Sequence, residues 1–275
     1  MIFTCPVCRQ LLSRQEKIYT CPSGHSYDIA SEGYVHLLPP NHMHSKIPGD
    51  SKQMVASRRA FLETGLYRLF SDRLNELVRE DLPKTDPVVL DAGCGEGYYT
   101  ARLAESLDQN GISAELYGFD ISKFAVKAAS KRLKSAAFAV ASCFAVPVAD
   151  ASTDCVINVF APIVESEFLR VLKPSGRLIL AVPGPRHLFG LKQILYEAPY
   201  ENEYRETEYA GFTFEKRVPV KDTIHIEDPQ TIQNLFAMTP YYWKTPVEGS
   251  RRLSETAVLD TEIEFDFLVY RKTEE

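Results

Sequence analysis

No run in the sequence approaches the roughly 20 apolar residues that a membrane span needs. The opening residues, Met1-Ile2-Phe3-Thr4-Cys5, lack the basic region and the apolar core of a secretory leader. The expected location is therefore the cytoplasm, with no membrane partner. Cysteine is sparse, six residues in all and scattered, so a disulfide framework is not expected. Positive charge is not in excess: 31 Lys and Arg face 37 Asp and Glu, a net charge of −6. That balance argues against indiscriminate nucleic-acid binding, though not against local patches. Residues 1–60 run the other way, with seven basic against four acidic side chains, which leaves −9 on the remainder. A basic front end suits a partner that touches it, and a solvated surface explains the asymmetry almost as well. Internal repeats and low-complexity segments are absent. What remains is a chain of 275 residues with ordinary apolar and charged fractions, room for one large domain and an appendage or for two domains.

The front end carries the first motif. Cys5-Pro-Val-Cys8 is one knuckle, and Cys21-Pro-Ser-Gly-His25 follows twelve residues later. Four soft or borderline ligands at C-x2-C-x12-C-x3-H spacing suit tetrahedral zinc. Between the knuckles, Leu11-Leu12 and Ile18-Tyr19-Thr20 are read as a short hairpin. A module of residues 1–37 buries too little apolar surface to fold unaided, so the metal supplies its stability. All four positions are protein groups, which makes the zinc structural rather than catalytic. His36, His42 and His44 lack the knuckle spacing and are read as surface or linker residues. Residues 38–50 form a linker by their Pro, Gly and Asn content. Asp50 or Ser51 then caps a helical stretch with a break at Gly65, completing a segment of residues 38–84. Arg58 and Arg59 on that stretch read as a solvated face ahead of a phosphate contact.

The chain is organised around Val88-Val89-Leu90-Asp91-Ala92-Gly93-Cys94-Gly95-Glu96-Gly97-Tyr98-Tyr99-Thr100. An apolar run ends in an acid, three alternate glycines follow, and a helical pattern opens behind them. That is a buried parallel strand, a tight turn and a helix start. Gly93, Gly95 and Gly97 let a ligand lie against bare main chain. The dinucleotide fingerprint is G-x-G-x-x-G; here the spacing is G-x-G-x-G, and Asp91 and Glu96 would repel a pyrophosphate but welcome a cation. The pattern resembles the first motif of class I S-adenosylmethionine-dependent methyltransferases, whose cofactor carries a sulfonium and an ammonium. A second acid, Asp120, ends the next predicted strand, Glu115–Asp120, where a carboxylate can accept both ribose hydroxyls.

From Val88 to about Val182 strand and helix alternate, as in a doubly wound α/β sheet. Strands are predicted at 88–91, 115–120, 137–140, 154–159 and 177–182, and helices at 98–108, 123–133 and 162–172. Lys173-Pro174-Ser175-Gly176 reads as a turn. Residues 212–226 and 261–271 read as an antiparallel pair closing the sheet, with a helix over 228–238 between them. Cys94, Cys143 and Cys155 read as small buried hydrophobes rather than nucleophiles. Thr239-Pro-Tyr-Tyr-Trp-Lys-Thr-Pro246 is an aromatic turn, suited to stacking on bases and equally suited to anchoring a loop. The segment after the fourth sheet strand, Asn158-Val-Phe-Ala-Pro162, departs from the Asn/Asp-Pro-Pro-Tyr/Phe of amino-methyltransferases. Asn158 is a weak catalytic candidate and Glu165 a weaker one; the catalytic base is not assigned.

Taken together, the zinc module, Pro48-Gly-Asp-Ser-Lys-Gln-Met-Val-Ala-Ser-Arg-Arg-Ala-Phe-Leu62 with Gly65-Leu-Tyr67, the glycine loop and Ala181-Val-Pro-Gly-Pro-Arg-His-Leu188 resemble the bacterial 23S ribosomal RNA guanine-N1-methyltransferases of the RlmA type. The resemblance implies a Rossmann-like, seven-stranded class I methyltransferase domain over residues 85–275. It implies methyl transfer from S-adenosylmethionine to N1 of a guanosine in a 23S rRNA hairpin, and a homodimer. Cys5, Cys8, Cys21 and His25 then match zinc ligands. Tyr67, the loop from Gly97 to Tyr98 and Tyr99, and His187 match positions that contact the cofactor. Two other readings stand beside it: a small-molecule methyltransferase with the zinc module as an accessory, and a non-enzymatic zinc-containing RNA binder.

Overall fold

The computed structural model describes residues 1–39, 48–203 and 207–273; His42 and His44 lie outside them. Strands β1 (Ser13–Gln15), β2 (Ile18–Thr20) and β3 (Ser26–Asp28) form a small antiparallel sheet. The predicted hairpin is there, shifted: Ser13 rather than Leu12 faces Thr20, while Leu11 forms a bridge to Thr4. Strand β4 (Val35–His36) leaves this module and pairs in parallel with β7 (Ala137–Val140), placing Val35 beside Ala139. His36 sits on it, exposed and apart from the Cys/His cluster.

Ser51 is the residue that caps α1 (Lys52–Leu62), its Oγ accepting from the Met54 N–H at 3.3 Å. Gly65, at φ +81°, separates α1 from α2 (Arg68–Arg79). The sheet then builds from β5 (Val88–Ala92), α3 (Tyr98–Gln109), β6 (Glu115–Asp120), α4 (Lys123–Arg132), β7, β8 (Thr153–Val159), α5 (Glu165–Val171) and β9 (Leu172–Pro183). It continues through α6 (Phe189–Leu195), β10 (Phe212–Ile226), α7 (Pro229–Ala237), α8 (Val247–Ser254) and β11 (Leu259–Lys272). The Lys173–Gly176 turn is absorbed into β9, with Ser175 at φ +60° marking the bend. Helix α8 has no counterpart in the sequence reading.

The strand order is β10-β11-β9-β8-β5-β6-β7-β4. Seven of these strands make the expected doubly wound sheet, parallel except for β11, which is antiparallel to both β9 and β10. The eighth, β4, comes from the metal module. Consecutive residues of the central strands feed opposite faces. Val89, Ile157 and Ile179 pack with α2, α3, α6 and α7, whereas Leu90, Val156 and Leu178 pack with α5 and with Ile2, Phe3, Leu12 and Tyr19 of the front end. The metal module and the sheet therefore share one apolar core. Phe3 lies edge-on to Tyr117 of β6 at 5.4 Å. Backbone bonds Thr4 N–H to Pro147 O and Leu37 N–H to Val140 O, both 2.9 Å, stitch the seam. Among the described residues no helix is long and apolar enough to cross a membrane.

Candidate cofactor site and metal centre

Strand order reverses between β6 and β8, with β5 at the switch, so the crevice of this sheet opens at the carboxyl end of β5. A cavity of about 620 Å³ lies there. Its floor is the glycine loop: Asp91, Gly93, Gly95, Glu96, Tyr98 and Tyr99 line it, together with Asn158, Tyr67 and His187. Gly97 and Asp120 do not. Gly97, at φ +82°, turns the chain into α3, and a Cβ on it would stand 2.9 Å from Ala129. Asp120 lies behind the loop, its Oδ2 accepting from Gly95 N–H at 3.0 Å and its Oδ1 from Ser122 N–H at 2.8 Å. Each carboxylate oxygen keeps a lone pair for a further donor.

Asp91 is 2% exposed, and its Oδ2 accepts from Thr100 Oγ1 at 2.6 Å. Burial and, after it, the nearby charge of Asp120 raise its carboxyl to about 7 against the bond from Thr100. No cationic side chain among the described residues offsets that rise. Glu96 has found part of one: Arg132 of α4 grips its Oε2 at 2.6 Å, yet Oε1 is buried without a hydrogen bond among the described residues. The Tyr67 hydroxyl is likewise buried and unpartnered among the described residues.

His187 shows a fixed tautomer. Its Nδ1 accepts from the Glu264 N–H at 3.1 Å, so the ring proton sits on Nε2. Burial, followed by the charge of Lys192, pushes its pKa down to about 3, so the ring is a neutral donor at physiological pH. Asn158 is 1% exposed, and its Nδ2 donates to Ala92 O at 3.0 Å and Pro162 O at 3.3 Å. Both partners are carbonyls, so the nitrogen must point at them, and among the described residues the amide oxygen accepts no hydrogen bond. Glu165 is exposed on the first turn of α5 and does not line the cavity.

Two walls were missed in the sequence. Asp50, Met54 and Arg58 bring α1 onto the cavity, and Met238–Tyr241 with Trp243 close another side. Arg58 is not on a solvated face: it pairs with Asp50 at 2.7 Å and donates to Met238 O at 3.3 Å, joining the two walls. The Gly-Asp-Ser segment and the aromatic turn were the visible signals, but nothing local in them says that they meet.

The cavity fits S-adenosylmethionine. A bare glycine floor, a raised carboxyl awaiting a cation, an orphaned tyrosine hydroxyl and a neutral imidazole donor complement a ligand with a cationic centre and a carboxylate. Two substitutions separate floor from scaffold. Gly97→Ala forces a Cβ into Ala129 at positive φ and is expected to cost about 3 kcal/mol of stability. Gly95→Ala meets only Arg58 Cδ, at 3.9 Å. It is expected to cost about 1 kcal/mol, yet to weaken cofactor binding tenfold or more because the methyl occupies the ligand's floor. Denaturant unfolding and calorimetry with S-adenosylhomocysteine check both.

The metal centre is equally defined. The ligand atoms of Cys5, Cys8, Cys21 and His25 all lie within 4.8 Å of one another. His25 Nδ1 is 3.3 Å from Cys21 Sγ and 3.5 Å from Cys5 Sγ, and Cys8 Sγ is 3.6 Å from Cys21 Sγ. A tetrahedral zinc with bonds of about 2.0–2.3 Å spaces its ligand atoms by roughly these distances. Tyr27 OH lies 3.0 Å from Cys5 Sγ and can donate to the thiolate. The other thiols behave as small hydrophobes: burial pushes Cys143 and Cys155 up to about 12.

The chain is similar to known proteins over most of its length. The family model described as RlmA, N-terminal, a zinc ribbon, matches residues 3–46, and a methyltransferase-domain model matches 83–237. The 23S rRNA (guanine(748)-N(1))-methyltransferase of Streptomyces fradiae is 32% identical over 258 residues, 91% of this chain and 89% of the relative. YxjB of Bacillus subtilis (strain 168), provisionally named a 23S rRNA (guanine-N(1)-)-methyltransferase, is 30% identical over 280 residues, 98% and 97% of the two chains. A Micromonospora griseorubida protein with the same provisional name is 35% identical over 205 residues, 68% of this chain and 67% of its own.

Proposed function

Because this chain belongs to the RlmA-type family of 23S rRNA (guanine-N1)-methyltransferases, with its zinc ribbon and its class I methyltransferase domain, we propose that it methylates N1 of one guanosine in a 23S rRNA hairpin. The observation that carries the reading is the pairing of the buried, cation-seeking Asp91 with the glycine floor. In the finer reading, residues 1–37 are the zinc module, 38–84 a connecting segment and 85–275 the catalytic domain. The working form is a homodimer, and the location is the cytoplasm, where ribosomal RNA is.

When bound, S-adenosylmethionine supplies a methyl group made electrophilic by its sulfonium. Asp91 would hold its cationic end at the floor. Gly93 and Gly95 would let it lie against the main chain, and Asp120, outside the cavity lining, would hold the loop in shape by accepting from the Gly95 N–H. Tyr98 and Tyr99 flank the loop. Tyr67 OH and His187 Nε2–H would donate to the cofactor's carboxylate and hold that end in place. The chain's part in the reaction is then chiefly orientation, which is worth on the order of 7–11 kcal/mol where alignment is good. Asn158 has no proton to take up at neutral pH. Its amide oxygen accepts a hydrogen bond from the guanine edge, so it orients the base and does not deprotonate it; the N1 proton that the methyl group displaces leaves to solvent water. Cys5, Cys8, Cys21 and His25, none of which lines the cavity, would hold a structural zinc.

The test is methyl transfer in vitro. Tritiated S-adenosylmethionine and unmodified 23S rRNA transcript are expected to give labelled RNA, with 1-methylguanosine found in the nucleoside digest by mass spectrometry. Label in a small-molecule extract and none in the RNA would favour an accessory role for the ribbon on a metabolite methyltransferase.

A further inference from the structure

The cofactor reading leaves three large rings of the cavity unused, Phe160, Tyr241 and Trp243, and of these Phe160 and Trp243 are the exposed ones. Phe160 follows Asn158 by two residues, beyond the end of β8. Its backbone is left-handed, φ +53°, a conformation that is strained for a bulky side chain and natural for glycine. The residue is 42% exposed although its ring packs on Phe265, centroids 4.6 Å apart, and beside His187 at 5.4 Å. Trp243, the single tryptophan of the chain, is 71% exposed. It is braced edge-on by Tyr242 at 5.0 Å, which in turn packs against Phe236. Both rings line the cavity that contains Asp91 and Asn158. A ring kept only to anchor a loop would be buried. A strained ring held at a cavity wall and open on one side is a surface waiting for another flat ring.

We propose that Phe160 and Trp243 are the stacking residues for the target guanine, holding its plane while the Asn158 amide reads its edge. The proposal rests on the rRNA methyltransferase reading and deepens it. Aromatic faces stack on any base, so the two rings would supply hold and orientation rather than sequence choice. The strain at Phe160 is then explained by function: the left-handed turn aims the ring into the cavity beside the amide.

The experiment uses the zinc-loaded full chain, S-adenosylmethionine and unmodified 23S rRNA transcript. Four variants are compared with the wild type: Phe160→Leu, Phe160→Gly, Phe160→Tyr and Trp243→Ala. Phe160→Gly removes the ring while suiting the backbone better, so it guards against a simple folding failure. Phe160→Leu, Phe160→Gly and Trp243→Ala are expected to lower kcat/KM for the RNA about 10- to 100-fold, the range for losing one base–aromatic stack. Phe160→Tyr should stay within about threefold of the wild type, because the stacking face is kept. Affinity for S-adenosylhomocysteine by calorimetry should be unchanged in all four. The fluorescence of Trp243 reports directly: it should be quenched saturably when the transcript is added with S-adenosylhomocysteine, and quenched less in Phe160→Gly. Unchanged kcat/KM in Phe160→Leu and Phe160→Gly, or a parallel loss of cofactor affinity, overturns the proposal. A wild type that leaves the transcript unmethylated removes the parent reading as well, whereas robust methylation indifferent to these variants removes this inference alone.

Discussion

Asp91→Asn is expected to weaken S-adenosylmethionine binding about 100-fold or more while leaving the protein folded. Asparagine has the same shape and can still accept from Thr100 Oγ1, which donates to Asp91 at 2.6 Å. What is lost is a buried charge opposite a cation, an interaction whose truncation costs about 2–5 kcal/mol. The pH profile sharpens the test. Burial raises the Asp91 carboxyl from its ordinary 3.8 to about 7. The folded protein therefore keeps a proton that the unfolded chain releases. Its contribution to stability falls as pH climbs from about 4 to about 7 and is level above that. Asp91→Asn removes that slope and should match or exceed the wild type in stability at pH 8. Cofactor binding has the opposite sign, because a cation selects the ionised carboxylate. Affinity should rise about tenfold per pH unit up to about 7 and then flatten, with protons released on binding at pH 6. Calorimetry in two buffers of different ionisation enthalpy measures both. An asparagine variant that binds within threefold of the wild type, or a wild type whose affinity ignores pH, would falsify the assignment of Asp91.

Removing zinc is expected to have the second large effect. Chelation, or Cys21→Ser, should lower the melting temperature of the whole chain by 10 °C or more, in one transition. Small structural zinc sites contribute on the order of 10–16 kcal/mol of apparent binding free energy. Even about 4 kcal/mol transmitted to the core would reach that shift, at roughly 2–4 °C per kcal/mol for a protein of this size. Transmission is expected because Phe3, Leu12 and Tyr19 are buried in the same cluster as Leu90, Phe119 and Leu180. Two separate transitions in calorimetry, with the main one unmoved by chelator, would show the two parts to be energetically independent.

Much of this was legible in the chain. The knuckle spacing put four ligands together before any fold was known, and the strand–helix alternation from Val88 to Val182 appears with ends moved by a few residues. These are local signals: a turn that brings two ligands round, a period that matches one element. What was hidden depends on distant contacts. β4 is two residues long and has no periodicity to detect; its identity as a strand exists only in its pairing with Val140 and Ala139. Arg58 looks like any helix-surface arginine until Met238, 180 residues away, supplies a carbonyl to it. Arg177 opens an apolar stretch in sequence, yet it is 4% exposed and gathers Glu80, Asp81 and Glu215 from two other segments. The Asp91 carboxyl could be located by motif, but its raised pKa follows from burial that only the packed sheet creates.

The two ends of the sheet are protected by different means. β10 closes one end with charged side chains, among them Lys216, Arg217, Lys221 and Asp222, which discourage another strand from adding on. β7, Ala137-Phe-Ala-Val140, closes the parallel side and carries no charge at all; β4 is what covers it. A cell short of zinc would therefore face more than a softer enzyme. With its stopper loosened, this apolar margin becomes a template for neighbouring chains, and the metal-depleted protein should be lost to light-scattering aggregates before it is lost to unfolding.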